Sequence, residues 1–108
     1  MEQRSAHVVV FITASSSDEA RSIATALVER RLAACVNIAP GVRSLFRWQG
    51  KVEDQEEVLM VVKSRGDLLP SIIEAVKELH SYSVPEVIAI PILAGSPDYL
   101  HWLDESVG

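Results

Sequence analysis

Two consecutive β-prone runs, about 33–48 and 51–64, meet at Gln49-Gly50, and their length is the first thing this chain must accommodate. A two-residue turn ending in glycine suits a tight hairpin. Sixteen residues at ~3.3 Å each span roughly 50 Å if straight. A globule of ~100 residues has a diameter of roughly 35 Å. The hairpin tip is therefore expected to overhang its own sheet, with Pro40-Gly41 making a bulge or bend in the first run. The tip carries Val42, Leu45, Phe46, Trp48 and Val52. Apolar side chains on an overhanging ribbon call for a cover, and its open edges invite pairing with another chain. The expectation is a homo-oligomer built through these two strands.

The rest of the chain supplies a simple frame. Residues 6–13, "AHVVVFIT", read as a central strand buried on both faces. "SSSDEA" opens a helix, with Ser16 and Glu19 as a capping box or Ser17 as the cap. Ala20, Ile23, Ala24, Leu27 and Val28 form its apolar stripe. In the second hairpin strand Val58, Met60 and Val62 alternate with Leu59, Val61 and Lys63, which predicts burial of its latter half on both sides. Asp67 is the expected cap of a second helix with Pro70 in its first turn. "EVIAIPI" is a strand whose Pro91 suits a sheet edge. "SPDYLHWLDES" is a short last helix with Ser96 as cap and Pro97 at its first position. The order β-α-β-β-α-β, then α, predicts one α+β domain of the ferredoxin-like, split βαβ kind over 1–108.

Composition limits the function classes. The 108 residues are 48% hydrophobic and 23% charged, a globular mixture. No apolar run approaches the ~20 residues of a membrane span. "MEQRSAHVVVF" shows no leader pattern, and one cysteine cannot form an internal disulfide, so cytoplasm is the expected compartment. A net charge of -5 opposes nucleic-acid binding. An RNA-recognition domain has the same element order but needs stacking aromatics on its central strands, and "VEDQEEVLMVVK" has none. Walker A, G-x-S-x-G, H-E-x-x-H and Rossmann glycine patterns are absent, so no enzyme is indicated. "TASSSDE" lacks glycines, and Asp18 and Glu19 would repel an anion there.

The sequence resembles the CutA family, named for divalent-cation tolerance. The likeness runs through "VVVFITA", "ERRLAACVNI", "PGVRSLFRWQGKVE", "EEVLMVVKS", "HSYSVPEVIAIPI" and "DYLHWL". Its most specific parts are the W-x-G-K and Y-x-x-P-E runs in that order. The resemblance implies a trimer like that of the nitrogen-regulatory PII signalling proteins, with each hairpin extending a neighbour's sheet. It also implies a link to copper or another divalent metal and no organic cofactor. Metal-binding members carry a cysteine in the first strand and a His-His pair ending the second helix. The matching positions here are Ile12, Leu79 and His80, so only His80 is kept.

Three groups of residues are candidates for a site. His80 is a possible copper or zinc ligand, and otherwise a helix-end histidine. Cys35 offers a soft thiolate, with core packing as the competing role. Trp48, Lys63, Tyr82, Glu86, Tyr99 and Trp102 form the third group, an interface network or a polar cleft at a subunit boundary. Lys63 and Glu86 are expected near converging strand ends. The acidic run Glu53, Asp54, Glu56 and Glu57 could be an acid-base couple or hard-metal ligands, but reads more readily as a solvated rim or as partners for Arg43, Arg47 or Lys51. Metal homeostasis is the leading functional reading. A PII-like module binding a small effector between subunits, or a scaffold for a protein partner, is the second.

Overall fold

The computed structural model describes residues 6–108; the first five residues, which bear on the leader reading, lie outside it. The elements are β1 (His7–Ala14), α1 (Ser17–Glu29), β2 (Cys35–Trp48), β3 (Lys51–Arg65), α2 (Leu69–Leu79), β4 (Val87–Pro91) and α3 (Pro97–Ser106). The four strands form one antiparallel sheet in the order β2-β3-β1-β4, the ferredoxin-like arrangement.

One layer of helices covers one face. Val8, Val10, Ile12 and Ala14 of β1 and Val58, Met60 and Val62 of β3 point toward Ala20, Ile23, Ala24 and Leu27 of α1 and Ile72, Ala75 and Val76 of α2. These side chains are all buried and make the core. The alternation in β1 and β3 differs from the predicted two-sided burial: Val9, Phe11, Leu59, Val61 and Lys63 are only half-buried. The reason is that, among the described residues, α3 is the only element over the opposite face, and it covers one end. His7 holds Asp104 at 2.9 Å, and Arg31 donates to the carbonyls of Glu105 and Gly108. The rest of that face stays open, and Ile88 and Ile90 are 55% and 51% exposed on it.

The hairpin overhangs as its length requires. β1 pairs with β3 only as far as Ala14 opposite Val58, so among the described residues Lys51–Glu57 has β2 as its sole strand partner. The long axis of the chain is 47 Å against 27 and 24 Å for the others. Gln49 and Gly50 have φ of 50° and 79°, a left-handed pair that makes the tight turn. Between Ala39 and Val42 the ladder shifts: three steps on β2 face two on β3, from Leu59 to Glu57. That single extra residue is a bulge at Pro40-Gly41, where Gly41 has φ +81°.

Two expected helix caps differ. Ser16 caps α1, its hydroxyl accepting from the Glu19 amide at 3.1 Å. Asp67 does not cap α2; it lies in a 3-10 turn, Gly66–Leu68, and its carboxylate is taken by Arg65 at 3.0 Å. Ser96 stands at the cap position of α3 with no side-chain bond to the helix, and Pro97 follows it at the start.

Candidate functional site

The bulge decides which residues of the hairpin meet the rest of the chain. Before it, Cys35, Asn37 and Ala39 share the open face of the sheet with Lys63, Val61 and Leu59. After it, parity is inverted, and Ser44 and Phe46 face the same way as Gln55 and Glu53, with Trp48 continuing the row. The segment after α2 then wraps over the end of β1. Tyr82, Ser83, Val84 and Glu86 close the other side of a groove of about 870 Å3 that also includes Thr13 and Ser15.

His80 is the hinge pin of that wrap. Its side chain is fully buried. Nε2 donates to the Thr13 carbonyl at 2.7 Å, and Nδ1 accepts from the Tyr82 amide at 3.0 Å. The neutral imidazole thus has both nitrogens engaged, which selects one tautomer. The Tyr82 ring packs against it at 4.7 Å between centroids. Tyr82 then donates its hydroxyl to Glu57 Oε2 at 2.7 Å. Burial, reinforced by that carboxylate, pushes the Tyr82 phenol up to about 12, so it remains a donor.

Glu19 does more than complete a cap. Its carboxylate accepts from the amide and hydroxyl of Ser15 and from the amide of Ser81, at 2.9 to 3.0 Å, tying α1 to the segment after His80. Burial opposes its ionisation, but the hydrogen bonds of Ser15 and Ser81 outweigh it and bring the pKa from 4.5 to about 2. The unfolded chain therefore takes up this proton before the folded one. The stabilisation is complete above about pH 4.5 and is lost as pH falls toward about 2. The full displacement corresponds to roughly 3 kcal/mol, and partial solvent access reduces that to about 2 kcal/mol. Urea unfolding from pH 6 to 2.5 should show Glu19→Gln losing less stability than the parent. Equal acid sensitivity would remove Glu19 from this role.

The six-residue constellation divides within one chain. Trp48, Tyr82 and Glu86 line the groove together. Lys63 does not approach Glu86: it pairs with Val9 and Cys35, whereas Glu86 precedes the Ile12–Val87 rung at the other end of β1. Its ammonium binds Asn37 Oδ1 and lies 3.9 Å from Cys35 Sγ. Tyr99 and Trp102 on α3 pack against each other at 5.3 Å between ring centroids, tilted by 45°, with Tyr99 near Cys35 on the Lys63 rung. Burial, then the neighbouring Cys35, raises the Tyr99 phenol above its usual value.

Cys35 and His80 are therefore apart. The Cys35–Lys63–Val9 rung lies four residues from Thr13, roughly 13 Å along the strand. Among the described residues no three His, Cys, Asp or Glu side chains converge as a metal-binding set. A single chain does not supply a complete donor set around either residue.

The acidic run also divides. Arg43 Nε meets Asp54 at 2.6 Å on the outer face of the hairpin, the kind of pairing expected. Glu57 departs from the solvated-rim reading, being only 5% exposed beneath Tyr82. Its one sequence signal is position: it is the last charge before "VLMVV" and shares a strand face with Glu53.

This geometry defines a class: a ferredoxin-like α+β subunit with an overhanging ribbon and a groove at the ribbon's base. The model of the family described as "CutA1 divalent ion tolerance protein" matches residues 8–106, and the chain belongs to that family. It is 53% identical over 100 residues to the "Divalent-cation tolerance protein CutA" of Thermus thermophilus, covering 93% of this chain and 97% of that one. It is 44% identical over 99 residues to "Protein CutA, chloroplastic" of Arabidopsis thaliana, covering 92% of this chain but 54% of that longer one. The solved structure of the divalent cation tolerance protein Cut A1 from Thermus thermophilus superposes with a TM-score of 0.92 at 52% identity, over 94% of this chain and 99% of that chain.

Proposed function

We propose that this chain acts in divalent-cation tolerance as a non-enzymatic homotrimer that takes up copper or another divalent metal. Family membership over residues 8–106 carries the reading, through relatives named for that tolerance. The half-open apolar sheet face and the overhanging hairpin support the oligomer. We place it in the cytoplasm on its single cysteine; among the described residues no helix is long and apolar enough to cross a membrane. Cys35 and His80 are the proposed donors, and His80 would have to give up its bond to the Thr13 carbonyl or the Tyr82 amide to act as one. Because neither belongs to a complete set in one chain, metal uptake by this reading is a property of the assembly.

Native mass spectrometry of metal-stripped protein, with and without copper, tests it. The expected result is a trimer with a fixed copper stoichiometry that Cys35→Ser or His80→Gln lowers. His80→Gln keeps a donor for the Thr13 carbonyl without an imidazole. A trimer with no specific uptake sinks the metal reading, and a monomer sinks the assembly.

The groove favours a second reading, a PII-like signalling or scaffold module that binds a small effector. It has the volume of a small-molecule site and sets Phe46, Trp48 and Tyr82 beside polar groups. This reading takes the groove as one wall of an intersubunit cleft.

A further inference from the structure

Among the described residues, Glu57 is a buried carboxylate without a counter-charge. Oε2 accepts the Tyr82 hydroxyl, a neutral donor, at 2.7 Å. Oε1 takes no hydrogen bond from any described residue, and it is not sealed from solvent. No described Lys, Arg or His lies within ion-pair distance of either oxygen. Only 5% of Glu57 stays exposed, and a carboxylate so nearly removed from water is ordinarily matched by a cation.

The walls around it point to the kind of cation. Glu53 and Glu86 line the same groove, as do Phe46, Trp48 and Tyr82. Arg43 is the one basic residue among the described lining, and its guanidinium is taken by Asp54. A small divalent metal requires converging oxygen ligands, and these carboxylates do not converge. Carboxylates spaced along an aromatic wall suit an extended ligand with ammonium ends and an apolar body. An ammonium gains from both the carboxylate and the ring faces, while methylenes pack on Phe46 and Trp48.

We propose that this groove binds an aliphatic di- or oligoamine, with one ammonium on Glu57 and the others toward Glu53 and Glu86. The proposal rests on the effector reading of the groove and gives that effector its chemical class. A groove of about 870 Å3 has room for such a chain.

Spermidine is the probe, titrated into the assembled full-length protein by calorimetry and by tryptophan emission. Succinate, 1,4-butanediol and Mg2+ are the comparison probes. Saturable spermidine binding with an emission change that Trp48→Phe abolishes is expected. Glu57→Gln keeps an acceptor for Tyr82 and should weaken binding at least about tenfold, whereas the exposed Glu105→Gln should leave it unchanged. Absence of saturable binding overturns the proposal, as does equal binding by Glu57→Gln or equivalent displacement by Mg2+. Succinate or butanediol moving Trp48 emission while spermidine does not would sink the amine class and keep the effector site. No probe moving it would sink both. A Glu57→Gln protein that dissociates, beside a parent that ignores spermidine, would give the carboxylate to a neighbouring copy's cation and overturn the proposal.

Discussion

In the double variant Ile88→Asp, Ile90→Asp, the proposed trimer should separate into folded single chains. Both residues sit on β4, facing away from the helices, opposite Phe11 and Val9 of β1. Each is about half exposed in the isolated chain, so assembly has that remaining half to bury. The lost burial is worth roughly 2 kcal/mol per chain. Two carboxylates placed in a closing interface add several kcal/mol of desolvation to that. The core of Val10, Ile12, Met60 and Val62 lies on the other face and is untouched, so the subunit should remain folded. Light scattering after size exclusion reads the mass, and circular dichroism reads the fold. An unchanged mass would mean that the open face is not where copies meet.

His80→Ala should cost about 3 kcal/mol of subunit stability, read from the urea midpoint of the metal-stripped protein. The imidazole satisfies the Thr13 carbonyl and the Tyr82 amide. Each orphaned buried group costs about 1 to 3 kcal/mol, and the vacated ring volume adds to it. His80→Gln restores the donor to Thr13 and should recover roughly half the loss. Because Tyr82 and its bond to Glu57 hang from His80, the alanine variant should also open the groove. A loss below about 1 kcal/mol would show that water replaces the imidazole and that the histidine is not the pin of this segment.

Much of the fold was legible because the signals are local. The Ser16 cap, the Gln49-Gly50 turn and Pro97 at the start of α3 each follow from the stereochemistry of one or two residues. The overhang follows from strand length against domain size, and the 47 Å axis bears that out. Asp67 misled because a capping residue and an ion-pair partner look alike in sequence; Arg65, two residues away, takes its carboxylate. The half-open sheet face was hidden because an apolar alternation does not say whether one layer or two will cover it.

The groove shows the division most clearly. Trp48, Tyr82 and Glu86 stand out in the sequence as aromatic and charged residues beside strong turns. Glu57 and Glu19 do not, since an acidic residue in an acidic run or a helix cap already has an ordinary explanation. What places Glu57 under Tyr82 is a contact 25 residues apart in the chain. What turns Phe46 toward it is one extra residue at Pro40-Gly41. The sequence by itself determined the elements, their order and the existence of a bend there. Only the tertiary structure decided the register across that bend. A strand has period two, so one residue more or less sends every later side chain to the opposite face, and that count is settled by pairing with β3 rather than by the residues of β2.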